Sequence, residues 1–141
     1  MFEHIRSQFS ETFGDDNGVQ VIMAPGRVNL IGEYTDFNEG FVFPMTVDRG
    51  VYVGIRARTD TQVRVFSSRF GELIEYQLVK LEQPDSGHWS CYVLGVVEEL
   101  RVLGLVPHGF DAVIDGNLNL GAGLSSSAAL ETATALALQT L

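Results

Sequence analysis

Three consecutive serines follow two glycines in the segment Gly121-Ala122-Gly123-Leu124-Ser125-Ser126-Ser127, called here the glycine–serine segment. It lies directly before an alanine-rich stretch with a helical pattern. Glycine lets the backbone approach a ligand closely, and the first N–H groups of a helix point at whatever lies before it. The hydroxyls add hydrogen-bond donors and oxygen atoms able to ligate Mg²⁺. The pattern favours a polyphosphate site, although a glycine-rich turn with a serine N-cap has the same composition.

A second polar segment lies between Gly26 and Gly40, after a run that is typical of a strand. It brings together an arginine, two carboxylates and several hydroxyl or amide side chains: Arg27, Asn29, Glu33, Tyr34, Thr35, Asp36 and Asn38. Carboxylates accept hydrogen bonds from the hydroxyls of a polyol, and arginine stabilises developing negative charge. The segment is predicted either to bind a polyol or to be a surface loop in which Arg27 pairs with Glu33 or Asp36.

The composition limits the class of partner. The chain has 141 residues and a formal net charge of −9, and Lys80 is its only lysine. Proteins that bind nucleic acid or an acidic membrane surface usually present a basic face, so neither partner is expected. The single cysteine, Cys91, favours a reducing compartment, and the sequence has no secretory signal and no apolar run of ~20 residues. We therefore expect a cytoplasmic protein. Because the chain has a single lysine, we also expect backbone amides and serines to hold phosphate.

The spacing of apolar residues predicts the elements that position these two segments. Helices are predicted over residues 2–13, 89–103 and 128–141, and strands over 19–24, 41–43, 51–58, 62–66, 72–78 and 110–114. Residues 25–40 are predicted to be a structured loop. Strands and helices mixed in this order indicate an α+β fold. The last helix has no capping residue at its end, which is typical either of a truncated helix or of one that frays at a chain terminus.

Both segments resemble known motifs. Residues 25–40, PGRVNLIGEYTDFNEG, are similar to the signature PGRVNLIGEHTDYNxG of the galactokinase branch of the GHMP kinase family. Residues 121–130, GAGLSSSAAL, resemble the phosphate loop of the whole family, which includes homoserine, mevalonate and phosphomevalonate kinases. The resemblance covers essentially the whole chain. It implies that residues 1–141 form the family's N-terminal domain, an α+β fold like ribosomal protein S5 domain 2, with the C-terminal domain absent.

The resemblance also implies roles for individual residues. Arg27 corresponds to the arginine that stabilises the transferred phosphoryl group, and sugar-binding positions correspond to Glu33, Tyr34 and Asp36. The loop around the phosphates of ATP corresponds to Gly121, Ala122, Gly123, Leu124, Ser125, Ser126 and Ser127. Ser126 or Ser127 is implied to lie near Mg²⁺. Trp89 and Tyr92 correspond to aromatic residues beside adenine, although both also fit the core face of a helix.

The implied reaction is the ATP-dependent phosphorylation of galactose at O1 to galactose 1-phosphate, a step of galactose metabolism, by a protein expected to be a monomer at full length. Tyr34 replaces the usual histidine of the signature, so a related sugar 1-kinase that acts on N-acetylgalactosamine or arabinose remains an alternative. A sensor that binds galactose and ATP without turnover is a second one. The family's catalytic aspartate corresponds to a position beyond residue 141. The 141-residue chain alone is therefore expected to be inactive and to expose an apolar patch.

Overall fold

A mixed β-sheet forms the centre of the chain, and helices cover both of its faces. The computed structural model describes residues 1–32, 35–80, 84–106, 108–118 and 123–141. The helices are α1 (Phe2–Phe13), α2 (Ser90–Val102) and α3 (Ser126–Leu138), with a short 3-10 turn at Asp36–Asn38. The strands are β1 (Gln20–Asn29), β2 (Pro44–Ala57), β3 (Gln62–Ser67), β4 (Glu72–Gln77) and β5 (Phe110–Gly116). This arrangement confirms the expected α+β class.

The strands lie in the order β1-β2-β5-β3-β4. β3 and β5 run parallel, and the other neighbouring strands run antiparallel. Side chains alternate between the two faces of a strand, so Val53 and Tyr52 of β2 enter different cores. Val53 belongs to the larger core, between the sheet and helices α2 and α3. Tyr52 belongs to a smaller core in which Ile5 and Phe9 of α1 are fully buried.

The first helix ends where the sequence predicts. Gly14 follows α1 with a φ of 94°, and its N–H donates to the carbonyl of Ser10 at 2.8 Å. A positive φ is accessible to glycine without the steric cost that a side chain adds, so this residue can close the helix. Ile5 and Phe9 then pack α1 against the face of the sheet opposite α2 and α3.

A buried carboxylate joins three strands on the α1 face of the sheet. Asp111 of β5 is 2% exposed, and it accepts hydrogen bonds from Arg64 at 2.7 Å, Arg58 at 3.1 Å and Arg56 at 3.3 Å. Burial alone raises the pKa of an aspartate, but the hydrogen bonds and charges of Arg64 and Arg58 outweigh it. The pKa of Asp111 consequently lies below its ordinary value.

The hairpin of β1 and β2 is longer than the sequence predicts. β1 continues to Asn29 and β2 begins at Pro44, so part of the predicted loop is paired strand. The strand predicted over residues 41–43 is wrong, because these residues lie in irregular, exposed backbone before β2. Exposed apolar side chains cluster near this end of the hairpin: Leu30, Ile31, Phe37, Phe41, Val42, Phe43 and Met45. Their exposure supports the prediction of an apolar patch.

No helix in the described part of the chain is long and apolar enough to cross a membrane.

Candidate functional site

The end of β1 brings the arginine of the first segment to the glycine–serine segment. Pairing with β2 shifts register between Pro25 and Arg27, and the backbone N–H of Arg27 donates to the carbonyl of Leu124 at 3.0 Å. Gly26 is buried at this crossing. A Cβ on Gly26 would lie 2.5 Å from Leu118 Cδ2 and 2.9 Å from the carbonyl oxygen of Leu124. The two segments that the sequence singles out are therefore in direct backbone contact, and this contact requires a glycine.

Arg27 presents its side chain at the surface of the described structure. The residue is exposed, and no carboxylate among the described side chains pairs with it. An arginine in this position supplies positive charge and donors in a fixed fork geometry, which suits the oxygens of a phosphoryl group.

The start of α3 has the geometry of an anion site. Ser125 occupies the N-cap position with a φ of 52°, a left-handed conformation that costs a residue with a side chain about 1 kcal/mol. Its side chain makes no capping hydrogen bond, so the first N–H groups of α3 are not satisfied by a side-chain cap. Gly123, two residues earlier, also has a positive φ, of 68°. The loop thus turns sharply and leaves the positive end of the helix dipole open.

A cavity of about 420 Å³ connects this helix start with an aromatic wall. Ser126 and Ser127 line it together with Phe70, Trp89 and Tyr92. Its volume and its mixture of aromatic and polar lining are those of a small-molecule site. The structure therefore places both predicted aromatic residues and two of the predicted serines around one space.

Trp89 and Tyr92 differ in their packing. Trp89 is 8% exposed and belongs to the larger core, and its ring stacks on Phe70 with centroids 6.0 Å apart and an interplanar angle of 10°. Tyr92 is 41% exposed. The core interpretation of the sequence thus holds for Trp89, which lines the cavity as well, and does not hold for Tyr92.

Two cavity residues gave no signal in the sequence. Arg69, between β3 and β4, donates from Nη1 to the carbonyl of Leu118 at 2.7 Å, and Leu118 is 2% exposed just before the glycine–serine segment. Glu72, the first residue of β4, accepts a hydrogen bond from the indole of Trp89 at 2.7 Å. Both contacts join residues that are far apart in the chain, so no local spacing reveals them.

Several predicted site residues lie outside the described residues: Glu33, Tyr34, Gly121 and Ala122. Asp36 begins the 3-10 turn, and its side chain is likewise outside the description. Within the described ranges, no group of three His, Cys, Asp or Glu side chains is arranged to hold a metal ion. Mg²⁺ keeps most of its ligands as water and substrate phosphate, so a hydroxyl at the start of α3 beside bound phosphates is a fitting donor for it.

Two protein-family models match the chain in separate regions. The galactokinase galactose-binding signature matches residues 7–57, and the GHMP kinases N terminal domain matches residues 91–141. Together they contain Arg27 and the whole glycine–serine segment.

Curated relatives extend the similarity over nearly the whole chain. The galactokinase of Chloroflexus aurantiacus is 44% identical over 133 residues, which are 94% of this chain and 34% of that protein. The galactokinase of Bacillus subtilis is 42% identical over 142 residues, 99% of this chain and 36% of that protein. The chain thus spans about a third of the length of these relatives.

Solved structures share the fold. The crystal structure of Lactococcus lactis galactokinase complexed with galactose matches with a TM-score of 0.85 and 40% identity, covering 92% of this chain and 34% of that one. The mevalonate kinase of Methanococcus jannaschii matches with a TM-score of 0.76 at 20% identity, covering 88% of this chain and 40% of that one. At that identity the second match supports the fold alone.

Proposed function

This chain belongs to the GHMP kinase family, and on that premise we propose that the whole protein transfers the γ-phosphoryl group of ATP to O1 of galactose, giving galactose 1-phosphate and ADP. The observation that carries the proposal is the hydrogen bond from the N–H of Arg27 to the carbonyl of Leu124. It holds the arginine of the sugar-binding signature against the loop that precedes α3. Residues 1–141 serve as the N-terminal domain, and the remaining chain supplies the catalytic aspartate.

The start of α3 holds the phosphates in this proposal. The first N–H groups of the helix lack a side-chain cap, and the helix dipole favours negative charge there. Ser126 and Ser127 line the same cavity and donate from their hydroxyls. This arrangement explains how a chain with a single lysine and a net charge of −9 binds ATP.

A hydroxyl of Ser126 or Ser127 would ligate the Mg²⁺ that accompanies the phosphates. When bound, the ion would neutralise charge on the transferred phosphoryl group. The nucleobase lies against Trp89 and Tyr92, because these aromatic residues line the same cavity as the two serines. Trp89 presents a fixed surface, since it is packed against Phe70.

Arg27 acts on the reacting groups. Its guanidinium is exposed and has no ion pair among the described side chains, and its backbone N–H is bonded to the loop. We assign it to the transferred phosphoryl group, where it stabilises the charge that develops during transfer. Glu33, Tyr34 and Asp36 bind the sugar hydroxyls in this assignment, which rests on their places in the signature.

A kinase assay on the intact protein tests the proposal. With ATP and Mg²⁺, galactose is expected to be the best substrate in a panel that includes N-acetylgalactosamine and arabinose. Arg27→Ala should lower kcat roughly 100- to 1000-fold, because it removes a group that stabilises the transition state. Arg101→Ala is the matched control: this arginine of α2 pairs with Glu98, on the same helix, and should leave kcat unchanged.

Each alternative has its own outcome in this assay. A higher kcat/KM for N-acetylgalactosamine or arabinose than for galactose would assign the protein to a related sugar 1-kinase. Binding of galactose and ATP with no phosphorylated product would assign it to the sensors. Either result would refute the galactokinase proposal.

A further inference from the structure

Glu72 carries a carboxylate oxygen that two neighbouring rings share. Trp89 Nε1 donates to Glu72 Oε2 at 2.7 Å, and His88 Nε2 lies 3.1 Å from the same oxygen. His88 Nδ1 lies 3.4 Å from the backbone nitrogen of Ser90 and 2.7 Å from its Oγ. A backbone N–H can only donate, so Nδ1 is the acceptor and Nε2 carries the proton that faces Glu72. Oε2 therefore accepts two hydrogen bonds.

The second oxygen of Glu72 is available to a ligand. No hydrogen bond reaches Oε1 from the part of the chain that the structure describes. Glu72 lines the cavity, and its side chain is 43% exposed. The bonds to Trp89 and His88 fix the direction of the carboxylate, so Oε1 is a preorganised acceptor beside the aromatic wall.

We propose that Glu72 selects the nucleobase, with Oε1 accepting a hydrogen bond from the exocyclic amino group of adenine. This inference rests on the proposed function, which places a nucleotide in the cavity. Adenine presents an amino donor at C6, where guanine presents a carbonyl acceptor. An ionised carboxylate only accepts, so at this position it binds the amino group of adenine and is repelled by the carbonyl of guanine. Glu72 thus favours ATP over GTP.

The same contacts give Glu72 a positioning role toward Trp89. The indole is held on its face by Phe70 and at Nε1 by Glu72. Its plane is therefore fixed before a base enters, which lowers the entropic cost of binding. The base lies away from the reacting phosphate, so losses at Glu72 should appear in KM and leave kcat nearly unchanged.

The test compares binding and turnover in the intact protein and in Glu72→Gln. Binding of ADP, GDP and the diphosphate of purine riboside, which lacks the 6-amino group, is measured by titration calorimetry. Steady-state kinetics then give kcat and KM for ATP and GTP. Glu75→Gln is the matched control, because Glu75 lies on the same strand but on its opposite face.

Wild type is expected to bind ADP about tenfold or more tightly than the purine riboside analogue, since the lost bond is to a charged group. In Glu72→Gln this difference should fall to within about twofold, and the ATP-to-GTP ratio of kcat/KM should fall about tenfold through KM. Glu75→Gln should match wild type. The wild-type comparison needs no variant, so it stands even if Glu72→Gln fails to fold.

Equal wild-type affinity for ADP and the purine riboside analogue would overturn the proposal about Glu72 and leave the proposed function intact. An unchanged ATP-to-GTP ratio in a folded Glu72→Gln variant would do the same. A wild type that binds no nucleotide at all would instead refute the proposed function.

Discussion

Replacing Gly26 by alanine should disturb the glycine–serine segment through a steric clash that can be located atom by atom. The added Cβ would lie 2.9 Å from the carbonyl oxygen of Leu124, 2.5 Å from Leu118 Cδ2 and 3.2 Å from Val47 Cγ2. Close carbon–oxygen contacts in proteins are ~3.3–3.6 Å, so the loop carbonyl must retreat by about 0.4 Å or more. Leu118 is buried and has little room to yield.

Two effects of Gly26→Ala can be separated. Overpacking of this kind lowers the free energy of unfolding by about 1–3 kcal/mol. The displaced carbonyl also accepts the N–H of Arg27, so the arginine and the loop lose their alignment. A misplacement of about 1 Å in a reacting geometry costs about 100-fold in rate. A shift of about 0.4 Å should therefore lower kcat/KM for ATP roughly tenfold.

Gly54→Ala is the control for this prediction. A Cβ there would lie 2.5 Å from Ile5 Cγ2, on the α1 face of the sheet and away from the cavity. Both variants are expected to unfold at lower temperature in calorimetry, and only Gly26→Ala should lose kcat/KM at temperatures where it remains folded. If the two variants lost kcat/KM equally, or if Gly26→Ala kept wild-type kinetics, the coupling between the two segments would be refuted.

Two further predictions concern the buried carboxylate and the serines. Asp111→Asn should lower the free energy of unfolding near neutral pH by about 3 kcal/mol, because it leaves the arginines without their charged partner. The folded-state pKa of Asp111 is lowered, so its contribution is complete above about pH 4 and is lost as the pH falls further. Denaturation at several pH values should show the gap between variant and wild type narrowing below pH ~4, and a constant gap would contradict the assignment. Ser126→Ala and Ser127→Ala should differ in their effect on KM for Mg²⁺-ATP. KM should rise about tenfold when the serine that ligates the ion is replaced, and less than about twofold when the other is replaced. Equal effects would contradict a single ligating hydroxyl.

Helices and central strands could be read from the sequence because their apolar spacing reports burial directly. α1 ends at the predicted residue, where Gly14 supplies the positive φ. The ends of the β1–β2 hairpin could not be read in this way. β2 begins at Pro44, where the backbone is exposed. Neither face of the strand is buried there, so apolar and polar residues do not alternate along it. The apolar run 41–43 has the composition of a strand, but it is exposed because no layer of the described structure covers it.

The candidate site shows the same division. The arginine and the serines stand in continuous motifs, so their chemistry could be inferred from neighbours in the chain. Glu72 and Arg69 act through contacts with Trp89 and Leu118, which the tertiary fold brings close from distant positions. Only the folded structure reveals such pairs, because neither the type nor the spacing of these residues is distinctive.

Phosphorus NMR of the reaction mixture is the most direct test of the central claim. The intact protein, incubated with ATP, Mg²⁺ and galactose, should produce ADP and one new sugar phosphate in equal amounts. The new resonance should be coupled to the anomeric proton, which places the phosphate on O1. A resonance coupled to another sugar proton, or release of inorganic phosphate with no sugar phosphate, would contradict the account.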